Sequence, residues 1–306
     1  MVTADGNKPL VSIVAATYNG ERFLRPQLDS LVNQTYPNLE IIVLDDCSKD
    51  GTWSILEEYA ARYPQLKIYK NESNLGYIKN FEKVSQLAKG DYISYSDQDD
   101  VWDLDKIQLS MDHIGDNPMI YHDSAMVDDG LNSLGITHNS LKRLQSLDNP
   151  LYFATDNCVG GHALIAKREV VMASIPFPVE MPYDLWLAFK ATFFGTIVYY
   201  DKAMVKWRQH SYNVTQHKKS QEVKIREARE RLKIFADHCD SEHKKEAAVL
   251  TSLYESYAST GFRDSWNRMV LFFKYKSYFL AMKRRNEFRK NLFCLKMFIK
   301  IREHVA

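Results

Sequence analysis

The chain reads as an α/β protein, a mostly parallel sheet flanked by helices, followed by a helical C-terminal region. Three observations predict this. Short apolar runs alternate with helical periodicities over the first hundred residues, and polar clusters recur where the apolar runs end. After Gly195 the only glycine is Gly261, and no proline follows Pro182.

Leu10-Val11-Ser12-Ile13-Val14-Ala15-Ala16 suits a buried parallel strand, and Thr17-Tyr18-Asn19-Gly20 supplies the turn after it. From Glu21 to Gln34, Phe23, Leu24, Leu28, Leu31 and Val32 recur at helical spacing until Tyr36-Pro37-Asn38 stops the pattern. A second strand, Leu39 to Leu44, ends in Asp45-Asp46, and Ser48-Lys49-Asp50-Gly51-Thr52 makes a capped turn into a helix over Trp53 to Tyr63. Leu66 to Tyr69 is the third strand, Asn74-Leu75-Gly76 leads into a helix over Ile78 to Leu87, and Asp91 to Tyr95 is the fourth strand. This βαβαβαβ order predicts a largely parallel sheet with helices on both faces. Ligands of such sheets bind beyond the carboxyl ends of the strands, where strand order reverses. Neither Gly-x-Gly-x-x-Gly nor Gly-x-x-x-x-Gly-Lys-Ser/Thr occurs, so a nucleotide held there needs another cradle.

The fourth strand runs into Ser96-Asp97-Gln98-Asp99-Asp100-Val101-Trp102, three carboxylates within four positions. Like charges so close repel and raise one another's pKa, so a cation, hydrogen bonds or bulk water must compensate them. Alternate side chains of an extended chain share a side, which lets Asp97 and Asp99 converge on one ion while Gln98 faces elsewhere. Hard oxygen ligands favour Mg2+ or Mn2+. A solvated acidic turn accounts for the same residues.

Together, Ala16-Thr17-Tyr18-Asn19-Gly20, the run Val43 to Thr52, Asn74-Leu75-Gly76 and the run Ser96 to Trp102 resemble the motifs of family 2 glycosyltransferases with a GT-A fold. The resemblance covers about residues 8–215. It implies that Thr17, Tyr18, Asn19 and Glu21 lie around the nucleotide of a nucleotide diphosphate sugar, with Asn74, Gly76 and Gln98 also on the donor side. It further implies that Asp46 contacts the base and that Asp97 and Asp99 form a metal-binding Asp-x-Asp for Mn2+ or Mg2+.

Met181 to Ala188 resembles the family segment that carries the catalytic base. An acceptor hydroxyl must lose its proton as it attacks the anomeric carbon opposite the leaving nucleoside diphosphate, and Asp184 is the carboxylate for that task. An Asp just before an apolar helix start is also a good N-cap, and the two roles can coexist. Trp207 to Asn213 resembles the stretch that closes over the donor diphosphate in many relatives. There His210 would be a metal ligand and Arg208 would neutralise phosphate, although a loop histidine can equally be solvated. Asn157 to Ala163 looks like the small-residue turn near the acceptor, where Gly160 and Gly161 permit close backbone approach, as they also would in an ordinary tight turn. Trp186 is expected on the acceptor side too.

At 306 residues, 45% hydrophobic and 26% charged, the chain can bury a large core and carry an appendage. Met1 to Lys8 is polar, so no signal peptide is expected, and Cys47, Cys158, Cys239 and Cys294 lack Cys-x-x-Cys spacing. They suit a reducing cytosol. Charge is uneven. Residues 1–216 carry 19 lysines and arginines against 28 carboxylates, net −9, whereas residues 217–306 carry 21 against 11, net +10.

We therefore expect a catalytic GT-A domain over 1–216 and a helical, basic amphipathic region over 217–306. In the latter, Trp266, Met269, Val270, Phe273 and Leu280 share one helical face, and Phe288, Leu292, Leu295 and Phe298 another. No run reaches the roughly 18 apolar residues that span a bilayer. Such faces pack on the catalytic domain or a second subunit as a homo-oligomer, or meet an anionic membrane surface at the inner face of the plasma membrane. Nucleic acid is not an expected partner, since no nucleic-acid module accompanies the charge.

The expected activity is inverting, metal-dependent transfer of one sugar to a hydroxyl of a bacterial surface polysaccharide or lipid-linked oligosaccharide. The run Ser96 to Trp102 most resembles rhamnosyltransferases using dTDP-rhamnose. A UDP-hexose or UDP-N-acetylhexosamine donor is the alternative within the fold, and a non-catalytic sugar-nucleotide binding or scaffold subunit is the alternative outside it.

Overall fold

The protein is described here from a computed structural model covering residues 8–210, 220–259 and 261–299. Ser211, Tyr212 and Asn213 of the segment expected to close over the donor lie outside the described residues. The chain divides into two compact units, Met1–Asp148 with Val159–Ser211, and Asn149–Cys158 with Tyr212–Ala306.

The first unit opens with β1 (Val11–Thr17), α1 (Glu21–Val32), β2 (Leu39–Asp45), α2 (Thr52–Arg62), β3 (Leu66–Lys70), α3 (Tyr77–Leu87) and β4 (Tyr92–Ser96). It continues with β5 (Val101–Trp102), α4 (Lys106–His113), β6 (Met119–Val127), β7 (Ser133–Thr137) and α5 (His138–Leu141). After the excursion into the second unit come β8 (Leu164–Lys167), α6 (Arg168–Ala173), α7 (Tyr183–Ala191) and β9 (Ile197–Arg208). Among the described residues the strands form one sheet in the order β3-β2-β1-β4-β8-β6-β9-β5, with β7 paired to β6.

Strands β3, β2, β1 and β4 are parallel, as the alternating pattern predicts. Beyond β4 the sheet becomes mixed, because β8 enters antiparallel to both β4 and β6 while β9 runs parallel to β6. Along β1 and β2, Val11, Ile13, Ala15, Ile41 and Val43 join one core with Leu24, Leu28 and Leu31 of α1 and Ile55 and Leu56 of α2. Their alternates Val14, Ile42 and Leu44 are buried on the opposite face. Each of the three α1 leucines is fully buried, worth about 1.5–3 kcal/mol apiece.

Register then sets out the polar edge. Thr17 lies opposite Asp45 and Ala15 opposite Ser96, so the segments after β1, β2 and β4 emerge side by side. Asp45 is buried and accepts from Thr17 Oγ1 at 3.1 Å and from Ser48 N at 3.0 Å, and Ser48 Oγ bonds it as well. Helices α1 and α2 exchange their first-turn acceptors: Asp50 accepts from Glu21 N at 3.1 Å, and Glu21 accepts from Gly51 N at 2.8 Å. Neither helix has a conventional capping side chain, so these reciprocal carboxylates fill that role.

The second unit holds α8 (Gln221–Asp237), α9 (Lys244–Glu255), α10 (Phe262–Lys274), α11 (Lys276–Phe279) and α12 (Glu287–Lys296), with the short segment Asn149–Cys158. Ser220 caps α8, accepting from Val223 N at 3.3 Å. Within this unit α10 buries Ser265, Arg268 and Phe272, and α12 buries Lys290 and Cys294, so the buried faces differ from the apolar faces named from sequence. Arg268 explains the orientation of α10, because its buried guanidinium donates to Met297 O at 2.9 Å and to Ser256 O and lies over the Tyr257 ring. Leu280 is buried as expected, whereas Trp266, Val270 and Phe273 are exposed. Among the described residues no helix is long and apolar enough to cross a membrane.

Asp45→Ala should lower stability by about 3 kcal/mol, since it strands Thr17, Ser48 N–H and Ser48 Oγ in a buried turn. A urea midpoint that falls with an unchanged m value is the expected reading, and a wild-type midpoint would remove the turn from the fold's supports.

Candidate functional site at the carboxyl edge of the sheet

The donor-side residues named from sequence are brought together by side-chain clasps. Tyr18 is held on both sides by Gln98, which accepts from Tyr18 N at 2.8 Å and donates to Tyr18 O at 3.1 Å. Asn19 has φ 48°, donates from its N–H to Ser48 Oγ at 2.9 Å and accepts from Lys49 N at 2.8 Å. At the next residue, Gly20, a Cβ would meet the Gln98 amide, so a larger residue there would displace the Gln98 clasp. Thr17 is buried, while the Tyr18 side chain is exposed.

Asp46 is buried at the end of β2, accepting from Asn71 Nδ2 and Leu75 N at 2.8 Å and from Gly76 N at 2.9 Å. Asn74 also accepts from Gly76 N, at 3.0 Å, and Gly76 takes φ 78°. The carboxylate expected at the base therefore first orders the wall 71–76. Three of its roughly four acceptor positions are used.

The three carboxylates of the acidic run have different partners. Asp99 Oδ2 is 2.8 Å from His210 Nε2, and the His210 ring stacks on Phe23 with centroids 4.9 Å apart. The expected ligands Asp99 and His210 are thus bonded to each other. Asp97 Oδ2 and Asp100 Oδ2 lie 3.8 and 3.7 Å from His162 Nδ1, and His162 Nε2 is 2.9 Å from Ser124 Oγ. Asp100 is buried, accepts from Arg208 N at 2.9 Å through Oδ1, and has no hydrogen-bond partner for Oδ2 among the described residues. Ligand atoms of Asp97, Asp100 and His162 fall within 4.8 Å of one another. Two carboxylate oxygens, one of them orphaned, and an imidazole nitrogen fit Mn2+ or Mg2+.

Sequence reasoning overlooked His162, Asp100 as a ligand, and Lys106. Lys106 is fully buried, donates to His162 O at 2.8 Å and Ser94 Oγ at 3.4 Å, and sits 3.0 Å from the centroid of the Trp102 ring. The signals were faint: a histidine directly after a glycine pair, and a lysine four residues beyond the motif tryptophan.

Arg208 is buried, and its guanidinium donates to Asp99 O at 2.7 Å and to Asp129 O while lying over Phe23, so it braces the acidic turn. Trp186 is turned into the core, donating to Ser174 O at 2.6 Å, and presents no surface to an acceptor.

Asp184 sits one residue inside α7, which begins at Tyr183 with Pro182 in the capping position, so it is not the N-cap. Its Oδ1 accepts from Leu185 N at 2.6 Å and its Oδ2 from Gly161 N at 3.2 Å. The glycine pair does permit close approach, but to protein: a Cβ on Gly161 would collide with the Tyr183 hydroxyl, and one on Gly160 would press on the His162 ring.

Burial dominates the electrostatics. It pushes the Asp100 carboxyl up to about 8, with Asp97 and Asp99 adding to the rise and His162 opposing it. Burial and Asp97 together raise Asp99 against the pull of His210. Burial lifts Asp184 to about 6; Asp97 adds to this, while the Leu185 and Gly161 N–H groups counter it. For His162 burial would lower the pKa, but Asp97 and Asp100 outweigh it and raise it. Lys106 is driven well below the usual lysine range by burial, despite Asp100 and Asp97. Asp97 thus acts electrostatically on both the histidine cluster and Asp184.

Residues 12–172, more than half of the chain, match the glycosyl transferase family 2 model. The chain belongs to glycosyl transferase family 2. It is 31% identical over 212 residues to an uncharacterized protein of Mycobacterium tuberculosis, covering 67% of this chain and 60% of that one. It thus spans 60% of that relative's length. A crystal structure of S. aureus TarS 1-349 in complex with UDP-GlcNAc superposes with TM-score 0.60 at 18% identity, covering 95% of this chain and 81% of that one. The mannosyltransferase PcManGT of Pyrobaculum calidifontis, in complex with GDP-Man and Mn2+, does so with TM-score 0.56 at 18% identity, covering 96% and 81%. The fold of this family 2 chain is GT-A.

Gly161→Ala should destabilise the protein by about 1–3 kcal/mol through overpacking against Tyr183. Adding Tyr183→Phe removes the oxygen that the new methyl meets and should restore part of the loss. Additive effects in thermal denaturation would refute the contact.

Proposed function

We propose that this chain transfers a sugar from a nucleotide diphosphate donor to an acceptor hydroxyl, with inversion at the anomeric carbon. The observation that carries the reading is the juxtaposition, at one edge of the sheet, of an acidic and imidazole cluster with a separate carboxylate, Asp184, whose ionisation responds to Asp97.

Asp184 is the general base. Its two backbone N–H donors fix the carboxylate, and its raised pKa makes it more basic than an ordinary aspartate yet ionised at neutral pH. As the acceptor oxygen attacks, Asp184 takes its proton and the nucleoside diphosphate leaves from the opposite face. Asp97, Asp100 and His162 would hold Mn2+ or Mg2+, with the Asp99–His210 pair beside them. When bound, such an ion supplies charge neutralisation for the departing diphosphate. The Mn2+ bound to PcManGT supports that assignment.

On the nucleotide side, the remaining acceptor position of Asp46 suits the imide N–H of thymine or uracil, and exposed Tyr18 is available beside it. We favour dTDP-rhamnose from the character of the acidic motif, with UDP-hexose or UDP-N-acetylhexosamine as the alternative. TarS binds UDP-GlcNAc and PcManGT binds GDP-Man, so donors differ within the fold. The acceptor is a hydroxyl of a surface polysaccharide or lipid-linked oligosaccharide.

Asp184→Asn retains the acceptor geometry toward Gly161 and Leu185 but cannot take a proton. We expect normal donor affinity and a loss of turnover on the order of a hundredfold or more. Wild-type turnover would exclude Asp184 as base. The pH profile gives a second check: the base works only when ionised, so turnover should fall as pH drops through about 6, above the range of an ordinary aspartate. An acid limb near the usual carboxylate value would place the critical group elsewhere.

For the cation, Asp100→Asn and His162→Ala should each weaken Mn2+ binding by about tenfold or more, measured by calorimetry. Undiminished Mn2+ affinity in both variants would reject this ligand set and return the assignment to Asp99 and His210.

A further inference from the structure

The helices α10 and α12 turn their apolar stripes outward. In α10, Phe262 is 66% exposed, Trp266 49%, Val270 43% and Phe273 39%, and these positions recur at i, i+4, i+8 and i+11, one face of a helix. In α12, Phe288 is 75% exposed, Leu292 41% and Leu295 52%, again on one face, while Lys290 and Cys294 point inward. The two stripes connect through aromatic rings: Phe262 stacks with Trp266 at 6.0 Å and meets Phe298 edge-on at 5.5 Å. A single exposed leucine needs no explanation, but two contiguous inverted stripes do.

Charge indicates what covers them. Between Phe262 and Ile299 the chain carries ten lysines and arginines against two carboxylates, Asp264 and Glu287. Arg284, Arg285, Arg289 and Lys296 are exposed around α12. A second copy applied to this face would bring like charge against like charge. An anionic bilayer surface satisfies both properties, accepting the aromatic and aliphatic side chains at its headgroup boundary and attracting the cationic rim.

We propose that the α10–α12 face is a docking surface for an anionic lipid bilayer. It takes Phe262, Trp266, Phe288, Leu292 and Leu295 into the interface while the surrounding arginines and lysines meet lipid headgroups. The inference stands apart from the sugar-transfer reading, because its test reads lipid binding and no turnover.

The test is co-sedimentation of the full chain with vesicles of phosphatidylcholine alone and with about 30% phosphatidylglycerol, at low and high salt. We expect binding to the anionic vesicles only, weakening as salt rises, with a blue shift of tryptophan emission in the wild type that Trp266→Phe diminishes. Replacing Phe288, Leu292 and Leu295 by serine should weaken binding by about tenfold or more, as should reversing Arg284, Arg285 and Arg289 to glutamate. All six are exposed, so unchanged circular dichroism should accompany the loss. Equal binding to neutral vesicles, or no binding to either composition, overturns the proposal. If vesicles are ignored and the serine variant instead lowers the molar mass by light scattering, a second copy covers the face.

Discussion

The candidate site is organised around three carboxyl groups crowded at the end of β4, two of which burial pushes toward their neutral form. Asp97, Asp99 and Asp100 fall within four consecutive positions, and Asp100 is buried with one oxygen that has no hydrogen-bond partner among the described residues. Around them the fold sets Arg208 N–H, His210, His162 and Lys106. The nearest imidazole nitrogen stands 3.7 Å from Asp100, and the Lys106 amine is spent on a carbonyl, a hydroxyl and an indole face. Burial drives the carboxyls toward protonation and the lysine toward neutrality, while their mutual attraction opposes both shifts.

That charge has to be kept in register with the rest of the edge, and short polar side chains do so. Gln98 ties the acidic run to the turn after β1; Asp45 ties that turn to the start of α2; Asp46 ties β2 to the wall before α3. Each clasp uses a side chain to satisfy backbone N–H groups that a tight turn leaves open. Residues that look like ligand contacts in a linear reading are consequently also structural, and the exposed Tyr18 ring differs from buried Thr17, Asp45 and Asp46 beside it.

The fold of the first hundred residues was legible because β1 and β2 are apolar on both faces and α1 carries Leu24, Leu28 and Leu31 at helical spacing, which leaves little choice of partner. Asp97 and Asp184 could be singled out in the sequence because their motifs are local. What escaped was set by tertiary contact. His162 joins Asp97 only because β8 lies antiparallel beside β4, a pairing that short apolar runs do not announce. The pairing of β9 with β5 beside the acidic turn brings the Arg208 guanidinium to backbone carbonyls, a contact its linear setting does not announce. Trp186 reads as an acceptor platform until the indole N–H finds Ser174 O inside the core.

The two ends of the chain carry the same code with opposite outcomes. The leucines of α1 and the stripe of Phe288, Leu292 and Leu295 on α12 share helical spacing, yet the former is fully buried and the latter is exposed. Periodicity identifies an apolar face and is silent on its partner. For α1 the partner is a sheet that arrives with the same local sequence. For α10 and α12 the inward positions are already committed to Arg268, whose guanidinium terminates on the carbonyls of Met297 and Ser256, so the arginine fixes which side of the helix faces the unit. Once a buried guanidinium has found those oxygens, rotating the apolar stripe inward would expel it and leave the carbonyls unpaired, a loss of several hydrogen bonds to a charged group at about 1.5–3 kcal/mol each. The outward stripe is therefore locked by polar chemistry in the interior of the unit.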